Sequence, residues 1–521
     1  MLGICSCLRS DPAAYAAYVA TNRLSTCFKN FPKVQSSLRW WCQMRDRSIR
    51  ETEVLIVGAG PVGLVCGVLL RTYGVECTIV EKSRSRDRRA RAISLHAPTL
   101  ELFSELGLLE GISGYAERLT SISLYGRNNS YVGDLTGLDS PYEGYWNVEQ
   151  PIYEESLEGL YEELGGTLIR GLEVTSVLKQ SAELRPPSPN CDDAPSPRRV
   201  DRVDQSTSHI HFQFIICADG VGSSTWNLLV GNNERLRKQH SGEYLLLEGV
   251  PALKSQVADT GIYIGSDGMV TRAPLTQGRV RIAGPAQPGL SRANSVADLI
   301  KAVDKMGYGQ TLRLREIERS SVYRVSASIV PRPFDLSMRF CVVGDAAHTT
   351  PPAGGQGLNS GIADALSLCW RLALFLKGSS GAEVFDGITD DIQANARHAI
   401  ESADISTAVR LIRENRTEND SAIRHEMSTR AIAWSQIYRG RGNPLLRRHG
   451  LKLHSGDRVP SARRIVDGQS RSMHVSALPV NRIGLTFTKL RRDTLTTDVM
   501  PSKFWPDDVA ELVLRPDGVV L

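Results

Sequence analysis

No cysteine follows Cys369, so the last part of the chain can do no thiol chemistry. The ten cysteines keep no metal-ligand spacing, and with Cys5 and Cys7 the only close pair they form neither a zinc site nor a disulfide framework. Net charge is scarce as well: +5 over 521 residues gives no ground for a nucleic-acid or membrane-surface partner. Acids are nearly missing from the first fifty residues, where Asp11 and Asp46 stand alone before Glu51. Long apolar runs are absent too. Val54 to Leu70 is short for a membrane span and is broken by Gly58, Gly60, Pro61, Gly63 and Gly67, while the helix expected after Leu358 carries Asp364 and Arg371. The chain has no internal repeat.

What remains is ordinary globular material: 41% hydrophobic and 23% charged residues, enough chain for two or more domains. The basic, Ser-rich stretch 1–50 fits a mitochondrial transit peptide or an extension without a fold of its own, and we read it as the extension. That reading places the protein in the cytoplasm, with the mitochondrion as the alternative.

Two stretches carry chemistry. Glu53 to Val57 reads as a strand, Gly58-Ala59-Gly60-Pro61-Val62-Gly63 as a tight turn opening a helix that runs to about Tyr73 and stops at Gly74, and Val75 to Val80 as a second strand ending in Glu81. This is the dinucleotide fingerprint in full context. Gly58 makes the turn, Gly60 lets backbone approach a pyrophosphate, Gly63 lets helix pack on strand, and Glu81 stands where an acid can accept a ribose hydroxyl. No second copy of it occurs.

The other stretch is Phe340 to Lys377, FCVVGDAAHTTPPAGGQGLNSGIADALSLCWRLALFLK. A short apolar run to Val343 predicts a buried strand, Gly344-Asp345 breaks it, and Pro351, Pro352, Gly354, Gly355 and Gly357 predict a loop that lets backbone approach a ligand. From about Leu358 the spacing of Ile362, Leu366, Leu368, Leu372 and Phe375 predicts a helix. Its free N–H groups and dipole favour an anion, and Asp345 can accept hydrogen bonds from ligand hydroxyls.

Between them, Phe212 to Cys217 reads as a strand leading into Ala218-Asp219-Gly220-Val221-Gly222-Ser223-Ser224. Arg185 to Ser208, rich in Pro, Ser, Asp and Arg, reads as an exposed insertion. Tyr244–Val250, Gly261–Ile264, Met269–Pro274, Arg279–Ala283 and Ser320–Val330 read as strands, mostly of an antiparallel sheet, with a helix over Val296–Met306. Tyr263, Arg272 and Tyr323 are candidates to face a substrate but are read as ordinary core or surface residues, and His348 is read as a packing residue or one that supports its neighbours rather than a catalytic one.

The ordered set GAGPVG, ADGVGSS and GDAAHTTPPAGGQGLNSGIADA resembles the flavin-dependent aromatic hydroxylases, the para-hydroxybenzoate hydroxylase superfamily. RAISLHAPTLEL and the closing GDRVPSARRI and VLRPDGVV strings resemble its phenol 2-monooxygenase branch. The match is good over residues 51–380 and patchy beyond.

The resemblance implies an α/β (α+β) fold. Residues 1–50 would be an extension, 51–232 the first part of a Rossmann-like FAD-binding domain with its insertion at 185–208, and 233–335 an interleaved antiparallel-sheet substrate domain. Residues 336–440 would complete the FAD domain, leaving 441–521 as a short, truncated thioredoxin-like remnant. It also implies FAD held at its pyrophosphate by Gly58, Gly60 and Gly63, at its ribose by Glu81, and by Arg91 and Gln150. Asp219 and Gly220 belong to a motif tied to FAD and NADPH. Asp345 would take the ribityl chain, and Pro352, Gly355, Gly357, Leu358 and Asn359 would line the flavin edge.

NADPH would be a transient co-substrate, O2 the oxidant through a C4a-hydroperoxyflavin, and the substrate a phenolic or aromatic polyketide-like molecule, as in secondary metabolism. No catalytic side chain and no metal ligand is named, and a homodimer is left open. Two departures stand out: Trp226 occupies about the place of a family arginine, and Phe385-Asp386-Gly387 replaces a Tyr-x-x-Glu-Arg segment. They keep alive the reading of a flavin-binding protein without turnover, and a second enzyme reading is an epoxidase or Baeyer–Villiger-type oxygenase acting on a non-aromatic substrate.

Overall fold

The computed structural model describes residues 50–86, 92–126, 130–136, 142, 144–187, 208–231, 236–253, 260–265, 268–286 and 292–404, with short pieces at 409–410, 412, 421–424, 462–466, 469–473, 488–491 and 511–514. Arg91, the insertion between residues 188 and 207, the first 49 residues and most of the proposed tail domain therefore lie outside the described residues.

The first sheet grows from strands apolar on both faces. β1 (Arg50–Val57) and β11 (Ser208–Cys217) pair in parallel, with Val54, Leu55 and Ile56 fully buried against Phe214, Ile215 and Ile216. Continuous burial of this kind marks a parallel sheet covered on both sides. Its order is β17 (Phe334–Asp335), β18 (Phe340–Val342), β11, β1, β2 (Cys77–Glu81), β8 (Thr167–Arg170), with β17 antiparallel at one edge. The hairpin of β9 (Glu173–Leu178) and β10 (Ser181–Arg185) joins the early part of β11. These last two strands stand on either side of the stretch read as an insertion.

Three helices close over this sheet. α1 (Pro61–Thr72) starts with Pro at its first position and ends where Gly74 turns left-handed at φ +71. α4 (Gln150–Glu163) carries Tyr161, whose hydroxyl donates to the Cys77 carbonyl at 2.7 Å and ties the helix to β2. α7 (Gln356–Leu376) packs on α1. The segment 94–119 adds α2 (Ala97–Glu105), α3 (Leu109–Ser113) and a small sheet of β3 (Ser94–His96), β7 (Tyr145–Asn147) and β4 (Glu117–Leu119).

The second sheet runs β19 (His348–Thr349), β16 (Leu314–Ile329), β12 (Leu236–Pro251), β15 (Arg279–Ala286), β14 (Gly268–Leu275), β13 (Gly261–Gly265), β5 (Ser121–Tyr125), β6 (Ser130–Asp134). The strands expected at Tyr244–Val250, Gly261–Ile264, Met269–Pro274, Arg279–Ala283 and Ser320–Val330 are all present, several longer than expected. β5 and β6 extend the sheet unexpectedly, β5 lying parallel to β13.

Alternation along the strands splits the two faces. Leu245, Leu247, Tyr263, Val270, Val280 and Ile282 pack against Leu299, Val303 and Met306 of α6 (Arg292–Lys305) or the turn after it. The opposite face, carrying Thr271, Ala273, Arg279 and Arg281, turns toward the first sheet and its helices, since Ala273 and Leu275 meet Ile93 and Arg279 meets Glu149. Tyr263 thus belongs to the sheet–helix core, stacked on Tyr125 at 4.7 Å, with the Arg272 guanidinium 5.9 Å from its ring. Among the described residues no helix is long and apolar enough to cross a membrane.

The chain crosses between the sheets once in a way that matters for function. β18 lies in the first sheet. A 3-10 turn at Gly344–Ala346 follows, β19 pairs with Ser328 and Ile329 of the second sheet, and α7 then returns to the first. The crossing is held where the Val62 side chain of α1 meets Gly344 and Gly361. A Cβ on Gly361 would lie 2.6 Å from Val62 Cγ2 and 2.9 Å from Gly344 Cα. Gly361→Ala is therefore expected to destabilise the protein by about 1–3 kcal/mol through overpacking. Urea unfolding checks this, and Val62→Ala in the same chain should recover only part of the loss because the Gly344 backbone still obstructs.

Candidate functional site

Parallel strands β1, β11 and β18 lie side by side and end on the same edge of the sheet. Gly58, Asp219 and the Gly344-Asp345 turn each follow the end of one of them. Three segments far apart in the chain therefore meet at one sheet edge, the edge at which open α/β sheets bind their ligands.

At the first turn the Gly58 amide donates to the Val80 carbonyl at 2.8 Å, and its φ of +105 excludes an L side chain. A Cβ there would run into the Ala218 carbonyl, and one at Gly63 into the carbonyl of Gly58. Gly60 differs: nothing lies within 4 Å of a Cβ built on it, and its own φ is an ordinary −73. Space rather than strain distinguishes this position, as backbone facing a diphosphate requires. α1 has no side-chain cap and no acid in its first turn, which leaves its N-terminal N–H groups and dipole for an anion. Glu81 Oε2 accepts from the Ala59 amide at 2.9 Å and Oε1 from the Ser83 amide at 2.8 Å, so the carboxylate is fixed beside the turn with lone pairs left for hydroxyls.

Asp219 Oδ2 accepts from the Thr225 amide at 3.1 Å and from Ser224 Oγ at 3.4 Å, whereas its buried Oδ1 has no hydrogen-bond partner among the described residues. Gly220 turns left-handed after it. α5 (Ser224–Val230) is capped by Ser223, whose Oγ accepts from the Trp226 amide at 3.0 Å. The Trp226 ring is fully buried among the core side chains of the first sheet. Position 226 therefore points into the interior of the first sheet's core.

In the third motif Asp345 is the exposed residue among buried Gly344, Ala346, Ala347 and His348. Pro352 is exposed, and Gly354 and Gly355 both turn left-handed. Gly355, at φ +64, is the residue before the first turn of α7. The helix begins at Gln356, ahead of the Leu358 expected, because two left-handed glycines end the loop there. Gly357 and Leu358 supply N–H groups of its first turn. A Cβ on Gly357 would stand 3.8 Å from Asp345 Oδ1, which puts that carboxylate beside the helix N-terminus.

Asn359 was expected at the flavin edge, and its side chain is engaged elsewhere. Its Oδ1 accepts from the His96 amide at 2.9 Å and from Thr99 Oγ1 at 2.8 Å, and its Nδ2 donates to the carbonyls of Ser94 at 2.9 Å and Gly355 at 2.8 Å. It staples the N-terminus of α7 to β3 and α2. Gln150 acts similarly: Oε1 accepts from the Ala92 amide at 3.1 Å and Nε2 donates to Glu154 at 2.8 Å, next to the undescribed Arg91.

Sequence reasoning missed the polar web behind this staple. Ser94 Oγ donates to Asn147 Oδ1 at 2.8 Å, and Asn147 Nδ2 to the Pro274 carbonyl at 3.1 Å, joining α7, the small sheet and the second sheet. Polar residues inside the apolar ISLHAPTLELF pattern were the available signal. Two ion pairs were missed as well. Glu149, at the start of α4, takes Arg279 Nη2 at 2.5 Å in a partly buried pair, and Glu248 takes Arg281 Nε at 3.0 Å in a buried one on the second sheet. His96, completely buried beside Gly355, is pushed down to about 3 by loss of hydration and stays neutral.

Residues 51–403 match the family model described as FAD binding domain. The chain is 26% identical to a protein of Bacillus subtilis named as an uncharacterized aromatic compound monooxygenase, over 68% of each. It is also 26% identical to 2,4-dichlorophenol 6-monooxygenase of Delftia acidovorans, over 69% of this chain and 63% of that one. The chain spans 56 to 68% of the length of the first curated relatives it matches. A crystal structure of aklavinone-11 hydroxylase with FAD and aklavinone superposes with a TM-score of 0.66 at 20% identity, over 91% of this chain and 95% of that one, and shows the shared fold.

Burial of the 226 side chain makes a direct prediction. Trp226→Arg would place an unpaired cation in the core and is expected to cost at least about 3 kcal/mol. Thermal unfolding should show a large drop in melting temperature, where a merely misplaced cofactor arginine would leave stability near the wild-type value.

Proposed function

The chain belongs to the FAD binding domain family and is an FAD-dependent monooxygenase, and on that premise we propose that it hydroxylates a phenolic or aromatic polyketide-like small molecule, using NADPH and O2. The observation that carries the reading is the convergence of the Gly58 turn, Asp219 and Asp345 on one sheet edge with two uncapped helix N-termini.

The residues present fit FAD. The open space over Gly60 and the N-terminus of α1 would take the diphosphate, Glu81 the adenosine ribose and Asp345 the ribityl hydroxyls. The orphaned Asp219 Oδ1 is a further acceptor awaiting a donor. When bound, the flavin would supply the redox chemistry, accepting electrons from NADPH and passing one oxygen atom of O2 to the substrate.

The protein's own part is to orient and shield. The first-turn N–H groups of α7 would stabilise negative charge on the reduced ring by dipole and hydrogen bonding. Asn359 holds that helix end against β3, so the donors are preorganised. The face of the second sheet carrying Thr271, Ala273 and the paired Arg279 and Arg281 would cover the ring and limit water. Each of these arginines already has its carboxylate, which supports an uncharged aromatic substrate.

Two measurements test this. Gly60→Ala places a Cβ with no protein atom within 4 Å, so it should melt near the wild-type temperature yet bind FAD about tenfold more weakly by crowding the diphosphate; equal FAD affinity would contradict the assignment. The purified wild-type protein should be yellow, anaerobic NADPH should bleach it faster in the presence of a phenol, and admitting O2 should then add one oxygen atom to that phenol, read by mass spectrometry. NADPH oxidation yielding only peroxide across a panel of phenols would count against the hydroxylase reading.

A further inference from the structure

The crossing between the two sheets is built around a buried charge. Asp364, on the third turn of α7, is completely buried. Its Oδ2 accepts from the Gly344 amide at 3.1 Å and pairs with His348 Nε2 at 2.6 Å, while Oδ1 accepts from Asn395 Nδ2 of α8 (Ile388–Ser402) at 3.0 Å. His348 is equally buried, and its Nδ1 has no hydrogen-bond partner among the described residues. One carboxylate therefore joins four pieces of chain: α7, α8, the 3-10 turn and β19.

A carboxylate with no exposure persists only with compensation. Asn395 and the Gly344 amide are neutral, so the compensating charge must come from His348. Gly344, in turn, is the left-handed residue at φ +60 that directs Asp345 out of the buried run. We propose that the His348–Asp364 pair is a positioning device for the cofactor: it fixes the Gly344-Asp345 turn in the form that receives the ribityl chain, so the protonation of His348 controls how tightly FAD is held. This rests on the FAD reading of the site. His348 touches no ligand in this account and acts through Asp364 and Gly344.

Around the imidazole the charged groups are Asp364 of α7, which raises the His348 pKa against the opposing effect of burial, and Asp345 of the turn, which adds a smaller push in the same direction. β16 presents the neutral Ser328 and Ile329 to β19, and α8 presents Asn395. The sign follows from the raised value. The stabilisation is fully present below the ordinary histidine pKa and is lost as pH rises through the elevated one. FAD should accordingly dissociate more readily on the alkaline side.

The test is a fluorescence titration of apoprotein with FAD from pH 6 to pH 10, on wild type, His348→Gln and Asp364→Asn, with melting temperatures of the apoproteins alongside. In the wild type, Kd should rise with pH along a single-proton curve. In His348→Gln that curve should be absent and Kd already raised at pH 6, by about tenfold, as expected when one partner of a buried hydrogen-bonded charge is removed. Asp364→Asn should likewise lose the pH step. Should the glutamine variant fail to fold, the wild-type curve still decides, together with the NMR titration of the His348 ring, whose midpoint must match it. A wild-type Kd that is flat with pH, or variants that only melt earlier while binding FAD within twofold of wild type, would overturn the proposal and leave the FAD reading standing. Wild-type apoprotein that binds no FAD at any pH would overturn both.

Discussion

A single apolar side chain, Val62, sets the geometry on which the site depends. It projects from the first turn of α1 into the angle between Gly344 and Gly361, both of which lack a side chain where it arrives. Helix α1 follows the nucleotide turn, Gly344 precedes Asp345, and Gly361 lies on α7. Their close contact brings two helix N-termini and one exposed carboxylate to the same sheet edge. A larger residue at either glycine would drive those segments apart and separate the two halves of a cofactor site.

The electrostatics of that edge are asymmetric. Neither α1 nor α7 places an acid in its first turn, and neither has a side-chain cap, so both present positive dipole ends. The carboxylates near them are tied down: Glu81 by two backbone amides, Asp219 by the start of α5, and Asp364 by its imidazole. Asp345 is the exposed residue between buried Gly344 and Ala346. A ligand with an anionic middle and a polyhydroxylated arm meets both needs, and FAD has both.

Much of this could be read from the residues because it is local. A glycine whose Cβ would strike a nearby carbonyl leaves a fixed spacing in the sequence, as at Gly58 and Gly63, and parallel strands leave unbroken apolar runs, as at Val54 to Val57. What escaped was decided by tertiary partners. β5 and β6 were missed because β5 pairs in parallel with β13, a partner far along the chain. Asn359 looked like a ligand residue by its motif, yet His96, Thr99, Ser94 and Gly355 saturate its amide. Trp226 sits at a motif position but three residues after its cap, where the chain turns the ring inward. The start of α7 shifted because the left-handed Gly354 and Gly355 close the loop early. His348 reads from its motif as a packing or supporting residue; its partner Asp364 lies further on, within α7, and is assigned only from the fold.

The central claim is that one dinucleotide spans both turns, and a crystal structure of the FAD-loaded protein tests it most directly. The account predicts density for the diphosphate over Gly60 at the N-terminus of α1, the ribityl hydroxyls within hydrogen-bond distance of Asp345, and the ring against the first turn of α7. A nucleotide bound at the Gly58 turn whose flavin end points away from Asp345 and α7 would contradict it.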